Sequence, residues 1–347
     1  MVNGKLKDAV RFIKIMNLYV RVGLKGITLL KAYRMLRYWV LTNIFKKEVP
    51  WVLEFSVTYR CQCLCAHCSV AEYLVKASKK DELTNEEIKN VLEQAVKIGI
   101  PKVDFFGGEP LIKEGILDLI KFGADKGLYM SATTNGWLLT KEFTRELKKA
   151  GISCMNVSLD SVSEEKHDNL RGLPGLYKRA VDGIKYCYEE GIPCIVSTYV
   201  TKNRIKNFGS DNDDSQLTKI ITFAKELKAS GIRILFPILS GKWIGDKTKE
   251  FTEEEKKMVI DNIDPSFAFI EGAYSVRNKK KVCQSLSGKM FNISPHGNVQ
   301  LCVTFPDSFG NVKDTPLAEL LRGMYSHPIY CKNRDGSCCS TTELARE

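Results

Sequence analysis

From residue 52 onward the chain alternates between short apolar runs and longer stretches whose apolar positions recur at helical spacing, with polar loops between them. The apolar runs fall at residues 53–58, 103–106, 130–134, 154–159, 194–200 and 233–236, and each predicts a buried strand. Helical stretches follow at 84–99, 112–126, 141–150, 177–190 and 217–229. Thr84, with Glu87 three residues later, predicts a capping box at the start of the first of these, and Gly99 its end. Six such units predict an α/β protein with parallel strands and right-handed crossovers, best suited to a partial (β/α)6 TIM-like barrel. In that architecture a site belongs on the loops at the strand C-termini.

Residues 1–50 are patterned differently. Leu29, Tyr33, Leu36, Val40 and Ile44 follow one helix stripe, while Lys31, Arg34 and Lys46 fall on other faces. Phe12, Ile15, Met16 and Tyr19 predict an earlier helical turn or two, with Gly23 and Gly26 as a joint. Charge then changes the picture. Residues 1–47 hold eleven Lys and Arg against one acid, Asp8, so this arm carries +10 of the chain's net +11. A basic amphipathic arm rich in aromatics suits an anionic membrane surface through residues 5–47. The alternative is a helix packed on the body of the protein with its lysines in water. The longest uncharged run, residues 38–45, is far too short to span a bilayer. No basic patch continues into the body, so nucleic acid is not expected as a partner.

With 347 residues, 44% hydrophobic and 27% charged, the chain can bury a full core. Its twelve cysteines raise the question of disulfides. The N-terminus lacks a compact apolar core and cleavage site, so a secretory signal is not expected. Cys61, Cys63 and Cys65, one residue apart, pair badly with one another. These features predict a reduced, cytoplasmic chain, peripheral on the inner membrane face through its arm, whose thiols bind metal or sit in the core. Cys154, Cys187 and Cys194 fall inside predicted elements and read as small core residues. The acidic run 211–216 reads as a solvated loop; it lacks the Gly and terminal Glu of a calcium-binding loop.

Chemistry concentrates on the predicted strand ends. The first strand leads into CQCLCAHC (residues 61–68), the second into GGEP (107–110), the third into TNG, and the fourth into Asp160. A structural zinc site would want four ligands, usually as two separated pairs, which one crowded loop supplies poorly. Three thiolates can instead hold three irons of a 4Fe–4S cube and leave the fourth iron open.

Cys61-x3-Cys65-x2-Cys68 after one strand, with GGEP after the next, resembles the radical S-adenosylmethionine (radical SAM) enzymes. His67 stands where that family usually has an aromatic residue, and Cys63 lies outside the pattern. The resemblance implies that Cys61, Cys65 and Cys68 ligate the cube and that the open iron chelates S-adenosylmethionine. It implies that Gly107, Gly108, Glu109 and Pro110 hold the cofactor's amino group, and that Asn135 shapes the loop near the nucleoside. Ser158, Asp160 and Arg171 resemble positions that contact ribose or carboxylate. Outside the resemblance, Asp160 would be a helix-cap or turn residue, Arg171 a surface ion pair and Asn135 a turn residue with positive φ. The implied chemistry is one-electron cleavage of S-adenosylmethionine to a 5′-deoxyadenosyl radical, which removes a hydrogen atom from a C–H bond. A flavodoxin or ferredoxin is the implied electron donor.

Near the C-terminus, Cys283, Gly297 and Cys302, followed by GNVKDTPLAELL, resemble the SPASM or twitch extensions that bind auxiliary clusters. One auxiliary 4Fe–4S cluster is implied, with Cys283, Cys302, Cys331 and one of Cys338 or Cys339 as ligands; a structural zinc site is the alternative. The expected organisation is an arm over residues 1–50, a barrel over 51–240, a helical bridge over 241–280 and a Cys-rich extension over 281–347. The arm points to an amphiphilic or membrane-associated substrate, such as a lipid or lipid-linked molecule. Peptide maturation or dehydrogenation of a small molecule or carbohydrate is the alternative, and a non-catalytic iron–sulfur or zinc protein a further one.

Overall fold

The structure is a computed structural model that describes residues 2–330 apart from 76, 77, 211, 272, 273, 276–279, 282, 306 and 329. Two helices open it, α1 (Val2–Gly23) and α2 (Leu29–Trp39), the second running on into one π-helical turn, Val40–Ile44. Then come β1 (Val52–Thr58), α3 (Ala71–Val75), α4 (Asn85–Ile98), β2 (Lys102–Gly107), α5 (Ile116–Asp125), β3 (Tyr129–Thr134) and α6 (Lys141–Lys149). β4 (Cys154–Ser158), α7 (Glu164–Arg171), α8 (Leu176–Glu189), β5 (Cys194–Tyr199), α9 (Gln216–Glu226) and β6 (Gly231–Leu235) follow. The chain continues through α10 (Glu253–Asn262), β7 (Ala268–Glu271), the short pair β8 (Tyr274–Ser275) and β9 (Lys280–Lys281), β10 (Met290–Ile293), β11 (Val299–Gln300) and α11 (Leu317–Ser326).

The six predicted strands are all present and run parallel in sequence order, β1 through β6. Their alternate residues, such as Phe55, Phe105, Met155, Val157, Val196 and Ile232, pack under the surrounding helices and are buried. The other alternates face the barrel interior, and many are polar: Glu54, Asp104, Thr133, Asn156, Ser197 and Arg233. The capping box forms as predicted, with Thr84 and Glu87 bonded reciprocally and Gly99 closing α4 in the left-handed region.

The sheet is wider than predicted. β7, inside the segment expected to be a bridge, pairs parallel with β6. β10, from the C-terminal segment, pairs parallel with β1, and β11 folds back antiparallel on it. The result is a nine-stranded open sheet in the order β11-β10-β1-β2-β3-β4-β5-β6-β7. The acidic loop is held by its own residues: Asp213 accepts from the Gly209 and Ser215 amides and the Thr218 hydroxyl.

The arm lies across the N-terminal ends of the strands, and its cations point inward. Arg37 donates to the carbonyls of Val96 and Lys97 at the end of α4, and Arg34 to that of Lys126 after α5. Lys31 reaches Gly151 O and Ser153 Oγ after α6. Arg21 donates to Ser230 O and Ser266 O, and Arg11 to Ile260 O in α10. Each helix C-terminus carries unpaired carbonyls and partial negative charge, so a guanidinium there satisfies both. Burial and the charge of Lys148 pull Lys31 below its ordinary pKa. Between the cations, Val22 and Met35 close the barrel floor against Tyr129, Cys154 and Ile195. This corrects the picture of a packed apolar stripe with solvated lysines: the stripe is real, but Leu29, Tyr33, Leu36 and Ile44 face outward.

Arg37→Ala should therefore cost about 1.5–3 kcal/mol, the range for hydrogen bonds from a charged donor, while Leu36→Ala on the outer face should cost less than about 0.5 kcal/mol. Urea unfolding of the two variants checks this, and equal losses would refute the inward assignment.

Candidate active site

All the loops singled out in the sequence emerge from the C-terminal ends of the parallel strands, at the end of the barrel opposite the arm. They line one cavity of about 340 Å³. Cys61, Cys65, Cys68, Gly107, Gly108, Asn135, Ser158 and Arg171 all contribute to its wall, as do Cys283 and Cys302 from the C-terminal segment. Glu109, Pro110 and Asp160 do not; they lie buried behind it. Cys331, Cys338 and Cys339 lie outside the described residues.

The cysteine loop is positioned by backbone contacts that tolerate no side chain on its neighbour. Gly108 N donates to Thr58 O (2.8 Å) and Glu109 N to Arg60 O (2.9 Å). A Cβ on Gly107, at φ +132°, would stand 2.0 Å from Thr58 O, and one on Gly108 2.4 Å from Arg60 O. The two glycines are thus required for the β2 loop to lie flat against residues 58–60. Glu109 then ties on the next strand. Its carboxylate accepts from Asn135 N (2.7 Å), Thr134 Oγ1 (2.7 Å) and Leu111 N (3.1 Å). Burial raises its pKa to about 7, against the pull of these donors. Below the loop, Glu82 accepts from Thr58, Arg60 (3.0 Å) and Lys113 (3.1 Å) and so clamps both sides together.

The thiols are electrostatically distinct. Cys63 is buried, and its S–H bonds to Cys61 and Cys65 push its own ionisation far up. The same bonds lower Cys61 and bring Cys65 to about 6, where the Arg171 charge also helps. Burial raises Cys68 to about 11. Two nitrogen donors point at the loop sulfurs: Arg171 Nη1 at 3.8 Å from Cys65 Sγ and Asn135 Nδ2 at 3.9 Å from Cys61 Sγ. Asn135 also accepts from Trp137 N at 2.9 Å, forming an Asx turn without the positive φ foreseen for a turn residue there.

These features fit a 4Fe–4S cluster on Cys61, Cys65 and Cys68: two of the three thiols are acidified and faced by N–H donors, and an open cavity lies beside all three. Among the described residues no three His, Cys, Asp or Glu side chains are grouped to hold a single metal ion. Thiols that each take a different iron of a cube have no need to meet at one point.

Arg171 is itself held by Asp160, whose Oδ2 accepts from Nε at 2.7 Å and lies 2.7 Å from Nη2. Asp160 also accepts from Tyr199 N (3.0 Å) and stands 4.0 Å from Arg204 Nη1. Burial opposes its ionisation, but Arg171, His67 and Arg204 outweigh it and hold its pKa well below the carboxylate range. Behind it, His167 Nδ1 accepts from the Asp160 amide at 3.1 Å. His67 lies tilted against Tyr199, ring centres 4.6 Å apart, with Trp243 edge-on beyond. Sequence reading missed Tyr199, Arg204, His167, Arg233 and Glu82. Tyr199 sits at a strand C-terminus like Asp160, so the same rule of position could have found it.

Asp160→Ala should cost about 3–5 kcal/mol, because it leaves the buried Arg171 without its counter-charge; urea unfolding measures it, and a loss below about 1 kcal/mol would refute the pairing. Acid should also weaken the fold. Burial lowers His67 and His167 from 6.5 to about 4, so the unfolded chain takes up their protons first. The stability they contribute is complete above pH 6.5 and lost as pH falls toward 4. A urea midpoint that stays level across that window would contradict their neutral burial.

Comparison with known proteins finds relatives for part of this geometry. Residues 55–205 match the Radical SAM superfamily. The chain is 30% identical over 213 residues to the AdoMet-dependent heme synthase of Methanosarcina barkeri, covering 61% of this chain and 57% of that protein. It therefore spans little more than half that relative's length. It is 28% identical over 275 residues to the PqqA peptide cyclase of Bradyrhizobium diazoefficiens, covering 73% and 67%. In fold it resembles Streptococcus suis SuiB bound to S-adenosylmethionine, with a TM-score of 0.66 and 19% identity over 86% of this chain and 75% of that one. The three-thiol loop and the glycines packed against it fall inside the matched segment, so residues 55–205 carry a Radical SAM superfamily domain.

Proposed function

We propose that the protein is a radical SAM enzyme acting on an amphiphilic substrate drawn into the barrel. The observation that carries this is the meeting of Cys61, Cys65 and Cys68 with Gly107 and Gly108 at one cavity. Cys61, Cys65 and Cys68 would hold the cluster. When bound, the cluster and S-adenosylmethionine supply a 5′-deoxyadenosyl radical that takes hydrogen from a substrate C–H bond. Arg171 and Asn135 orient N–H groups toward the ligand sulfurs, and Asp160 keeps Arg171 extended. Ser158 stands on the same wall for the nucleoside side of S-adenosylmethionine. Cys283 and Cys302 would join ligands from 331–347 to hold one auxiliary cluster.

The substrate reading rests on the cavity wall. Val70, Leu74, Phe236 and Ile238 are apolar, while Glu54 and Arg233 put charge deeper in the barrel. Such a wall suits a molecule with one apolar and one polar part. The likeness to a peptide cyclase favours a second reading, in which that molecule is a peptide bearing apolar side chains. A lipid substrate has less support, because the arm that suggested it lies at the far end of the barrel. As partners we propose a flavodoxin or ferredoxin for the electron and an anionic membrane surface for residues 5–47.

Anaerobic reconstitution followed by dithionite and S-adenosylmethionine should give 5′-deoxyadenosine by mass spectrometry. Cys61→Ala, Cys65→Ala or Cys68→Ala should abolish it and Cys63→Ala should spare it; bound zinc without product would overturn the reading. Removing Cys283 and Cys302 together should lower iron from roughly eight to roughly four per chain, and unchanged iron would remove the auxiliary cluster.

A further inference from the structure

The arm presents two faces of opposite character. In α1, Arg11, Leu18, Arg21 and Val22 turn toward the barrel, while Val10, Ile13 and Val20, and Leu24 just after the helix, are exposed. In α2, Lys31, Arg34, Met35 and Arg37 turn inward, while Leu29 is 92% and Leu36 60% exposed, with Tyr33 and Trp39 beside them. The stripe continues through Ile44 and Phe45. An ordinary surface helix buries its apolar face and solvates its charges; this arm turns several of its cations inward and leaves a long apolar stripe exposed. An apolar face of that length calls for a partner. Among the described residues no helix is long and apolar enough to cross a membrane.

The charges left on the outer side identify the partner. Lys25, Lys46 and Lys47 are exposed beside Leu24, Ile44 and Phe45. A second copy pairing through the same face would bring like charges together at a two-fold contact. An anionic bilayer complements them, accepts Leu and Ile into its acyl region, and places Trp39 and Tyr33 at headgroup level.

Direction follows from topology. The arm covers the strand N-termini, at Gly127, Ser153 and Ser230, whereas the cavity opens at the C-termini, roughly 20 Å away along strands of this length. We infer that the outer face of α1 and α2 is an in-plane anchor in an anionic bilayer, and that it holds the cavity mouth facing away from the lipid. The inference rests on the membrane contact proposed above and adds an orientation to it: the substrate enters from the water side.

The test uses the reconstituted full chain with phosphatidylglycerol-rich vesicles, and with phosphatidylcholine vesicles as control. Co-sedimentation should favour the anionic vesicles, and Leu29→Asp with Leu36→Asp should weaken binding by at least about tenfold, with the thermal midpoint and 5′-deoxyadenosine yield unchanged. Brominated acyl chains should quench tryptophan fluorescence in the wild type. Trp39→Phe should remove most of that quenching, and Trp243→Phe should leave it intact. Absence of vesicle binding overturns the membrane contact and the orientation together, as does a dimer that the double variant splits into monomers. Vesicle binding in which Trp243→Phe abolishes the quenching overturns the orientation alone.

Discussion

A buried carboxylate governs the geometry of the active end. Glu109 has 0% of its surface exposed, and its oxygens are occupied by backbone and hydroxyl donors from the β2 and β3 loops. Burying such a group is tolerable only with donors in place, so the two loops cannot drift apart without stranding it. Its own amide, and that of Gly108, fasten the same segment to residues 58–60. The start of the cysteine loop is therefore fixed by three strand ends acting together. Glu109 is a joint in the scaffold, and only the glycines of GGEP stand on the cavity wall.

A comparable logic runs at the other end of the barrel. The carbonyls and dipole ends of successive helices all face one plane, because every helix in a parallel β/α array points the same way. Left alone, that plane would be a ring of unpaired acceptors. Arg37, Arg34, Lys31, Arg21 and Arg11 answer it in turn around the floor. The excess basic charge of the N-terminal arm is thus in large part matched to partial charges of the fold itself.

The central strands were legible because buried parallel strands read as continuous apolar runs, and the cysteine loop and GGEP because their residue types are unusual at strand ends. β7 and β10 were not. Both are four residues long, and β10 owes its place to a partner from the opposite end of the chain, which no local pattern records. Periodicity correctly grouped Leu29, Tyr33 and Leu36 on one face of α2 but carries no sign; whether that face is inside depends on what lies beneath it. Glu82 escaped notice because a single acid in a loop has no signature until Thr58, Arg60 and Lys113 are seen around it. Asp160 was found by position, yet its task of holding Arg171 depends on a distance that only the folded chain supplies.

The parallel pairing of β1 with β10 also bears on the order in which the molecule can be completed. Leu53 sits opposite Phe291, so the strand that carries the cysteine loop gains one of its two neighbours only after nearly all the described chain has been synthesised. Closing so long a loop is slow relative to the local β/α pairings that precede it. Until then one edge of β1 is unpaired, and the wall formed by Cys283 and Cys302 is not yet in place. Until Phe291 pairs with Leu53, Cys61, Cys65 and Cys68 stand beside a chamber whose side the C-terminal segment has not yet shut.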